Sequence, residues 1–266
     1  MATINWASAT SGNWSSANNW SPGTVPGSGD TAYIGVTGGT YTSTVDVATS
    51  VNLLWIQSSN AIVNINADLT LGAGGLNFTF GLLLVNARIN VNSSIQLSND
   101  ARISLGSAGT LGHAPISASG TPAIVATTTN SIANNISVSS NNGIIFDAVS
   151  GATFFLNGQL NVAATTSNGI HVASNVVFGE AGYTGTVNYA PGSASTVSSI
   201  QTVLTIGCGT LQIGNAIAAS DLAVSNLKRN TRPLDFIIED FLGGLKAEAG
   251  ARPCVEAMGD FFEITA

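Results

Sequence analysis

The chain has 266 residues, 44% of them hydrophobic and only 8% charged, with a formal net charge of −7, whereas an average domain is about 25% charged. Frequent Ile, Val, Leu and Phe exclude disorder. Only Arg88 and Arg102 precede Lys228 among the basic residues, so nucleic acid, whose phosphates are held by Lys and Arg, is excluded as a partner.

In chain order, Met1–Val47 comes first. It holds Trp6, Trp14 and Trp20, then Pro22, Pro26, Gly27, Gly29 and Asp30. Met1–Trp20 is polar and lacks the charged-then-apolar layout of a cleavable secretory signal. Tyr33-Ile34 and Thr40–Val47 alternate as strands do, and Gly38-Gly39 between them predicts a hairpin turn. This segment reads as an N-terminal, Trp-rich cap over residues 1–47. Asp30 is expected to brace the turn after Gly29.

Residues 48–227 form a series of short strands. Ile62–Asn66, Leu76–Phe80, Ile89–Asn92 and Ile136–Val138 alternate with period two, apolar on one face and Asn, Thr or Ser on the other. An apolar–polar–apolar–Gly motif recurs at Leu69–Gly72, Ile103–Gly106, Leu204–Gly207 and Leu211–Gly214 at unequal spacings. The strands follow one another too closely for intervening helices, which excludes βαβ units. A sandwich or closed barrel and a parallel coil both fit. The coil is favoured because Lys, Glu and Arg are missing from the polar face, and because like charges stacked on successive turns repel. Asn side chains at bends (Asn60, Asn130, Asn134, Asn135, Asn141, Asn142, Asn157, Asn168) can instead hydrogen-bond from turn to turn. The predicted fold is therefore all-β: a single-stranded right-handed parallel β-helix, or β-solenoid, with roughly 20–25 residues per turn. The longest apolar run, near Leu76–Val91, is interrupted by Asn77, Thr79, Asn86 and Arg88. It falls short of the about 20 apolar residues of a membrane helix, so no membrane-spanning segment is expected.

Residues 228–266 differ sharply, holding five of the seven basic and seven of the fourteen acidic residues. Pro233 opens this tail. Asp235–Leu242 predicts a short amphipathic helix with Asp235 as N-cap, ended by Gly243-Gly244. The tail reads as a helical C-terminal cap whose Phe236, Ile237, Phe241 and Leu245 cover the last turn, as an uncleaved export signal, or as an unnatural end of a longer reading frame. Cys208 and Cys254 read as two unpaired thiols, with a disulfide between them as the alternative.

Trp14-x5-Trp20-Ser-Pro-Gly-x-Val-Pro26-Gly-x-Gly-Asp30-x-Ala-x-Ile34 and the following Gly39–Asp46 resemble the opening of large bacterial surface-associated repeat proteins, the autotransporter passenger-like and adhesin-like β-helical proteins. The resemblance spans about the first 50 residues and over the middle of the chain is compositional. It implies a β-rich coil at the cell surface. The Gly-Gly-x-Gly-x-Asp calcium nonapeptide of such proteins does not occur in the sequence.

Candidate chemistry is sparse. Trp6, Trp14 and Trp20 read first as cover for a solenoid end, where core and strand edges would otherwise be bare. Trp14 and Trp20 are also candidates for a sugar-stacking platform. His113 and His171 are the only histidines, and no Gly-x-Ser-x-Gly elbow accompanies them; both read as non-catalytic. No His/Cys/carboxylate cluster has zinc-ligand spacing, and no metal or cofactor is expected. Enzymes on parallel β-helices need paired acids, or acids beside Arg or Lys. Asp68, Asp100, Asp147, Glu180 and Asp221 are scattered, and the weak catalytic candidates are Asp100 with Arg88 and Arg102 if adjacent turns bring them together. A surface salt-bridge cluster is the plainer reading.

The expected function is structural and adhesive: a secreted or cell-surface β-solenoid making extended contacts with extracellular glycans, matrix, surface proteins or other cells, with end-to-end self-association through its open ends. The alternative is a polysaccharide-degrading lyase or hydrolase on the same scaffold. The expected location is extracellular or the cell surface, by a route without a cleavable N-terminal signal; a piece of a longer protein fits equally.

Overall fold

The computed structural model describes residues 1–91, 93–139, 142–162, 165–167, 170–172 and 174–189, together with strands at 202–206, 210–213, 227–229, 236–237, 246–247, 255–258 and 261–265. The protein is all-β, with parallel strands stacked as a β-solenoid. Two compact units divide it, Met1–Thr127 and Thr128–Ala266. The tryptophan-rich opening lies within the first.

The strands of the first unit are, in order, β1 (Thr3–Trp6), β2 (Gly12–Asn13), β3 (Trp20–Ser21), β4 (Thr31–Ile34), β5 (Tyr41–Val45), β6 (Thr49–Ile56) and β7 (Ala61–Ile65). They continue as β8 (Leu69–Phe78), β9 (Leu82–Val85), β10 (Ile89–Val91), β11 (Ile95–Asn99), β12 (Arg102–Leu105), β13 (Ile116–Gly120) and β14 (Ala123–Ala126). A regular turn presents three faces. On the first, the leading halves of β6 and β8 stack with β10. On the second, β1, β4, β6, β8, β11 and β13 pair in parallel; on the third, β2, β5, β7, β9, β12 and β14 do so. Strand β6 bends from the first face to the second through an irregularity between Val51 and Leu53. Hydrogen bonds that tie one regular turn to the next join residues 20, 21 or 22 apart.

Alternation decides which side chains fill the coil. Ile4, Ala32, Leu54, Leu76, Ile95 and Ile116 lie one above another on the second face. Val63, Leu83, Ile103 and Ile124 do the same on the third. All ten are buried, and burying each large aliphatic side chain stabilises the coil by about 1.5–3 kcal/mol. Shifting any strand by one residue would turn its apolar set outward, so this pattern holds the register.

The corners carry the polar work. Asn86 Nδ2 donates to Oδ1 of Asn64 (3.0 Å) and of Asn66 (3.1 Å), one turn back. Asn60 Nδ2 donates to the Gly38 carbonyl (2.8 Å). Turn-to-turn amide bonding thus occurs, at Asn60 and Asn135 among the bend residues expected and also at Asn64, Asn66 and Asn86; Asn141 and Asn168 lie outside the described residues. Gly81 has φ +105°, and a Cβ there would lie 2.5 Å from the Ser58 carbonyl oxygen and 2.7 Å from that of Ala61; only glycine lets the chain pass. Gly38-Gly39 is not the predicted hairpin turn. β4 pairs with β1 and β6, and β5 with β2 and β7, so the two glycines turn a corner between faces.

The start of the stack is closed. β3 runs antiparallel to β1, with Trp6 opposite Trp20. Trp20 meets Trp6 edge-on at 5.0 Å and Trp14 at 4.6 Å. Trp20 Nε1 donates to the Trp14 carbonyl (2.8 Å), and Trp6 Nε1 to that of Thr10 (3.2 Å). A two-residue reversed strand followed by Pro22, which has no N–H, makes a poor template for another chain.

The second unit opens with β15 (Asn130–Ile132), β16 (Ile136–Val138), β17 (Gly143–Ala148), β18 (Thr153–Leu156) and β19 (Leu160–Val162). β20 (Thr165–Ser167), β21 (Ile170–Val172), β22 (Ser174–Phe178), β23 (Thr186–Tyr189), β24 (Thr202–Ile206) and β25 (Thr210–Ile213) follow. Parallel ladders run β15–β18–β23–β25, β16–β19 and β17–β22–β24. The turns are longer, with turn-to-turn bonds spanning 24 to 33 residues. Part of the extra length between β19 and β22 is the antiparallel pair β20–β21. Phe146 stacks on Phe178 at 5.8 Å and meets Phe154 at 6.4 Å. Asp147 is fully buried and accepts the Glu180 N–H at 2.7 Å.

Beyond these, β26 (Leu227–Arg229) continues the β24 ladder in parallel. β27 (Phe236–Ile237) pairs antiparallel with β28 (Lys246–Ala247), and β30 (Phe261–Thr265) lies antiparallel between β25 and β29 (Val255–Met258). The helix predicted at Asp235–Leu242 lies outside the described residues apart from β27, which is a strand. Cys208, Cys254 and Asp221 also lie outside them.

Candidate functional site

The outer column of the second face is the most chemically distinct surface of the first unit. Asn5, Tyr33, Trp55, Asn77, Gln96 and Ser117 occupy one register position on successive rungs. All are uncharged. Each sits between two buried apolar neighbours on its strand, as in Leu54-Trp55-Ile56, so period two aims it outward. Two successive rungs carry large aromatics. Tyr33 and Trp55, both half-buried, meet edge to face with ring centroids 5.0 Å apart and planes at 66°, a geometry worth about 0.5–1.5 kcal/mol beyond area.

The pair is held from two sides. The Tyr33 hydroxyl donates to Gln57 Oε1 at 3.0 Å. A Cβ on Gly35 would collide with Cζ and the hydroxyl oxygen of Tyr33, so the ring lies down along its strand over a residue with no side chain. Asn77 follows Trp55 on the next rung, and Gln57 and Thr79 continue the ladder beside it through N–H bonds to the carbonyls of Ile34 and Ile56 (2.9 Å each). Amides that both donate and accept therefore flank a bipartite aromatic shelf. The third face differs: its outer columns set half-buried Ile62, Leu82 and Leu84 among Thr42, Asn64, Arg102 and Ser104, with aliphatic groups in place of an aromatic pair.

Charged residues serve mostly as clips between turns. Asp30 accepts the N–H groups of Ala2 (3.0 Å) and Gly27 (3.1 Å), which hold its carboxyl below its ordinary pKa in that order of effect. It braces the turn after Gly29, as expected, and also ties down β1. At Asp46 partial burial pushes the carboxyl up, but the Ser15 hydroxyl (2.6 Å) and N–H (3.0 Å) outweigh it and the net direction is down. Asp68 accepts the Arg88 N–H at 3.3 Å and pairs with its guanidinium at 3.5 Å.

The sequence-derived candidates fall elsewhere than expected. Trp14 and Trp20 are 0% and 2% exposed; their rings belong to the end plug and present no face to a sugar. Arg88 stands at the corner entering β10, paired with Asp68. Asp100 and Arg102 stand at a different corner, between β11 and β12, where Asp100 accepts the Thr121 hydroxyl at 3.3 Å. Arg88 thus stands apart from Asp100 and Arg102, which share the β11–β12 corner, and the plain salt bridge with Asp68 is what Arg88 forms. His113 is exposed on a turn and His171 lies on β21. Among the described residues no three His, Cys, Asp or Glu converge as metal ligands, and no helix is long and apolar enough to cross a membrane.

Sequence reasoning passed over Tyr33 and Trp55. The signal was present: in Leu53-Leu54-Trp55-Ile56 the tryptophan alternates out of phase with the two residues that fill the core. Neither a family model, nor a curated protein, nor a solved structure matches the chain.

Proposed function

We propose that this protein is a non-catalytic, contact-making β-solenoid of a bacterial cell surface or extracellular matrix, and that its working surface is the uncharged outer lattice of the second face. The observation that carries this reading is the column Asn5–Tyr33–Trp55–Asn77–Gln96–Ser117. Six neutral side chains in register offer hydroxyls, amides and two aromatic rings on a rigid ladder. Such a surface makes many weak contacts with an extended partner and pays little ordering entropy to do so. It supplies neither a carboxylate pair nor an acid beside a base, which glycan cleavage requires.

Glycan-array binding combined with a turnover assay on neutral and uronic-acid polysaccharides tests the reading. Binding without release of reducing ends or unsaturated products is the expected result. Cleavage that disappears on Asp100→Ala would overturn it in favour of a lyase or hydrolase.

A further inference from the structure

We infer that Tyr33 and Trp55 form an aromatic subsite for a neutral, extended β-1,4-linked glycan, one ring offering its face to a sugar and the other, inclined at 66°, walling it; this deepens the adhesive reading above and rests on it. Two large aromatics on successive outer rungs are not needed to fill the coil, because Leu54, Ile56, Ala32 and Ile34 already do so beneath them, all at 0% exposure. The rings keep part of their surface in water, which costs free energy unless a partner covers them. The C–H bonds on the flat side of a pyranose carry the partial positive charge that the face of an aromatic ring attracts.

The surround selects among glycans. Asn77, Gln57 and Asn5 are amides, able to donate to and accept from sugar hydroxyls. No residue of the six-membered outer column is charged, so an anionic sugar would lose its water without gaining a cation, a costly exchange. The rungs repeat at about 4.8 Å, a little less than the length of one β-1,4-linked pyranose unit, so an extended chain keeps nearly in step over the two aromatic rungs and their neighbour. The shelf is preorganised by the missing Cβ at Gly35 and by the Tyr33–Gln57 hydrogen bond, which removes ordering costs from binding.

Titration of the full chain with cellohexaose, followed by tryptophan emission and by calorimetry, tests the assignment. Trp6, Trp14 and Trp20 are buried and Trp55 is not, so a ligand-induced change in emission reports Trp55. We expect saturable binding of cellohexaose, at least tenfold weaker binding of an oligogalacturonate of equal length, and at least tenfold loss on Trp55→Ala or Tyr33→Ala. Trp55→Phe keeps most of the affinity and loses the emission change. Gly35→Ala, which leaves both rings in the chain but lifts Tyr33 off its bed, weakens binding several-fold and lowers the thermal midpoint only slightly. Because it removes neither ring, it tests the site even if an alanine variant fails to fold. Wild-type affinity in Trp55→Ala and Gly35→Ala, or equal affinity for the anionic oligomer, overturns the subsite. An array that detects glycan binding while cellohexaose does not bind also overturns it and leaves the adhesive reading standing. An array with no glycan bound at all removes both.

Discussion

The two units solve one stacking problem differently. From β4 onward, the unit of Met1–Thr127 keeps turns of 19 to 22 residues, tied at their corners by short amide and carboxylate bonds. The unit of Thr128–Ala266 uses turn-to-turn bonds that span 24 to 33 residues, a hairpin excursion and a stack of three phenylalanines. Constant turns bring every outer residue into a column, so a neutral lattice and an aromatic shelf become available. The longer turns of the second unit keep strand register as well, as in Ser131–Phe155–Asn188–Gln212, and its core adds large interior rings and the buried Asp147. The neutral outer column with its paired aromatics belongs to the first unit, whose start the tryptophan plug closes.

The comparison breaks hardest at the aromatic interiors. Trp20→Ala removes the ring that both Trp6 and Trp14 contact, and Phe146→Ala removes the centre of the phenylalanine stack; each should cost about 3–5 kcal/mol, read as a fall in the denaturant midpoint. Trp20→Ala should also increase self-association in sedimentation, because it uncovers the first rung. A variant that stays monomeric would show the plug to be dispensable.

Gly81→Ala is next. Its φ of +105° and the two facing carbonyls should cost about 3 kcal/mol, whereas Gly151, at φ +78° but with open space around it, should cost about 1–2 kcal/mol on the same change. Equal costs would mean that corner crowding does not set the regular turn length.

Acid should loosen the clips of the first unit. Asp30 and Asp46 are held below the ordinary carboxylate value. Their stabilisation is therefore fully present above about pH 4, and is lost as pH falls through the lower folded values. The thermal midpoint should drop below about pH 4, and Asp46→Asn should flatten part of that fall while lowering the midpoint at neutral pH. A pH profile identical to the wild type would remove the clip at Ser15. The smallest effect belongs to Arg88→Ala. With side chains 59% and 48% exposed, its ion pair with Asp68 should change stability by no more than about 0.5 kcal/mol.

Much of this was legible in the chain because alternation is local. Ile62–Asn66, Ile89–Asn92 and Ile136–Val138 are strands within a residue of where the pattern places them, and the shortage of charge pointed to parallel stacking over a sandwich. Gly38-Gly39 misled because a glycine pair bends a chain equally well into a hairpin or round a solenoid corner, and only the partner strands distinguish the two. The candidate site was half legible: phase alone turns Trp55 outward, yet nothing near Tyr33 in sequence says that its neighbour lies 22 positions on.

What the sequence by itself determined is the alternating strands of the coil, the side of each that is apolar, and the neutrality of the surface, since all of these follow from side-chain order along a backbone of period two. What the tertiary structure alone decided is which residues share a column. That depends on the length of each turn, so the same rule that buries Trp14 and Trp20 in the plug sets Trp55 beside Tyr33, and gives Arg88 to Asp68 rather than to Asp100.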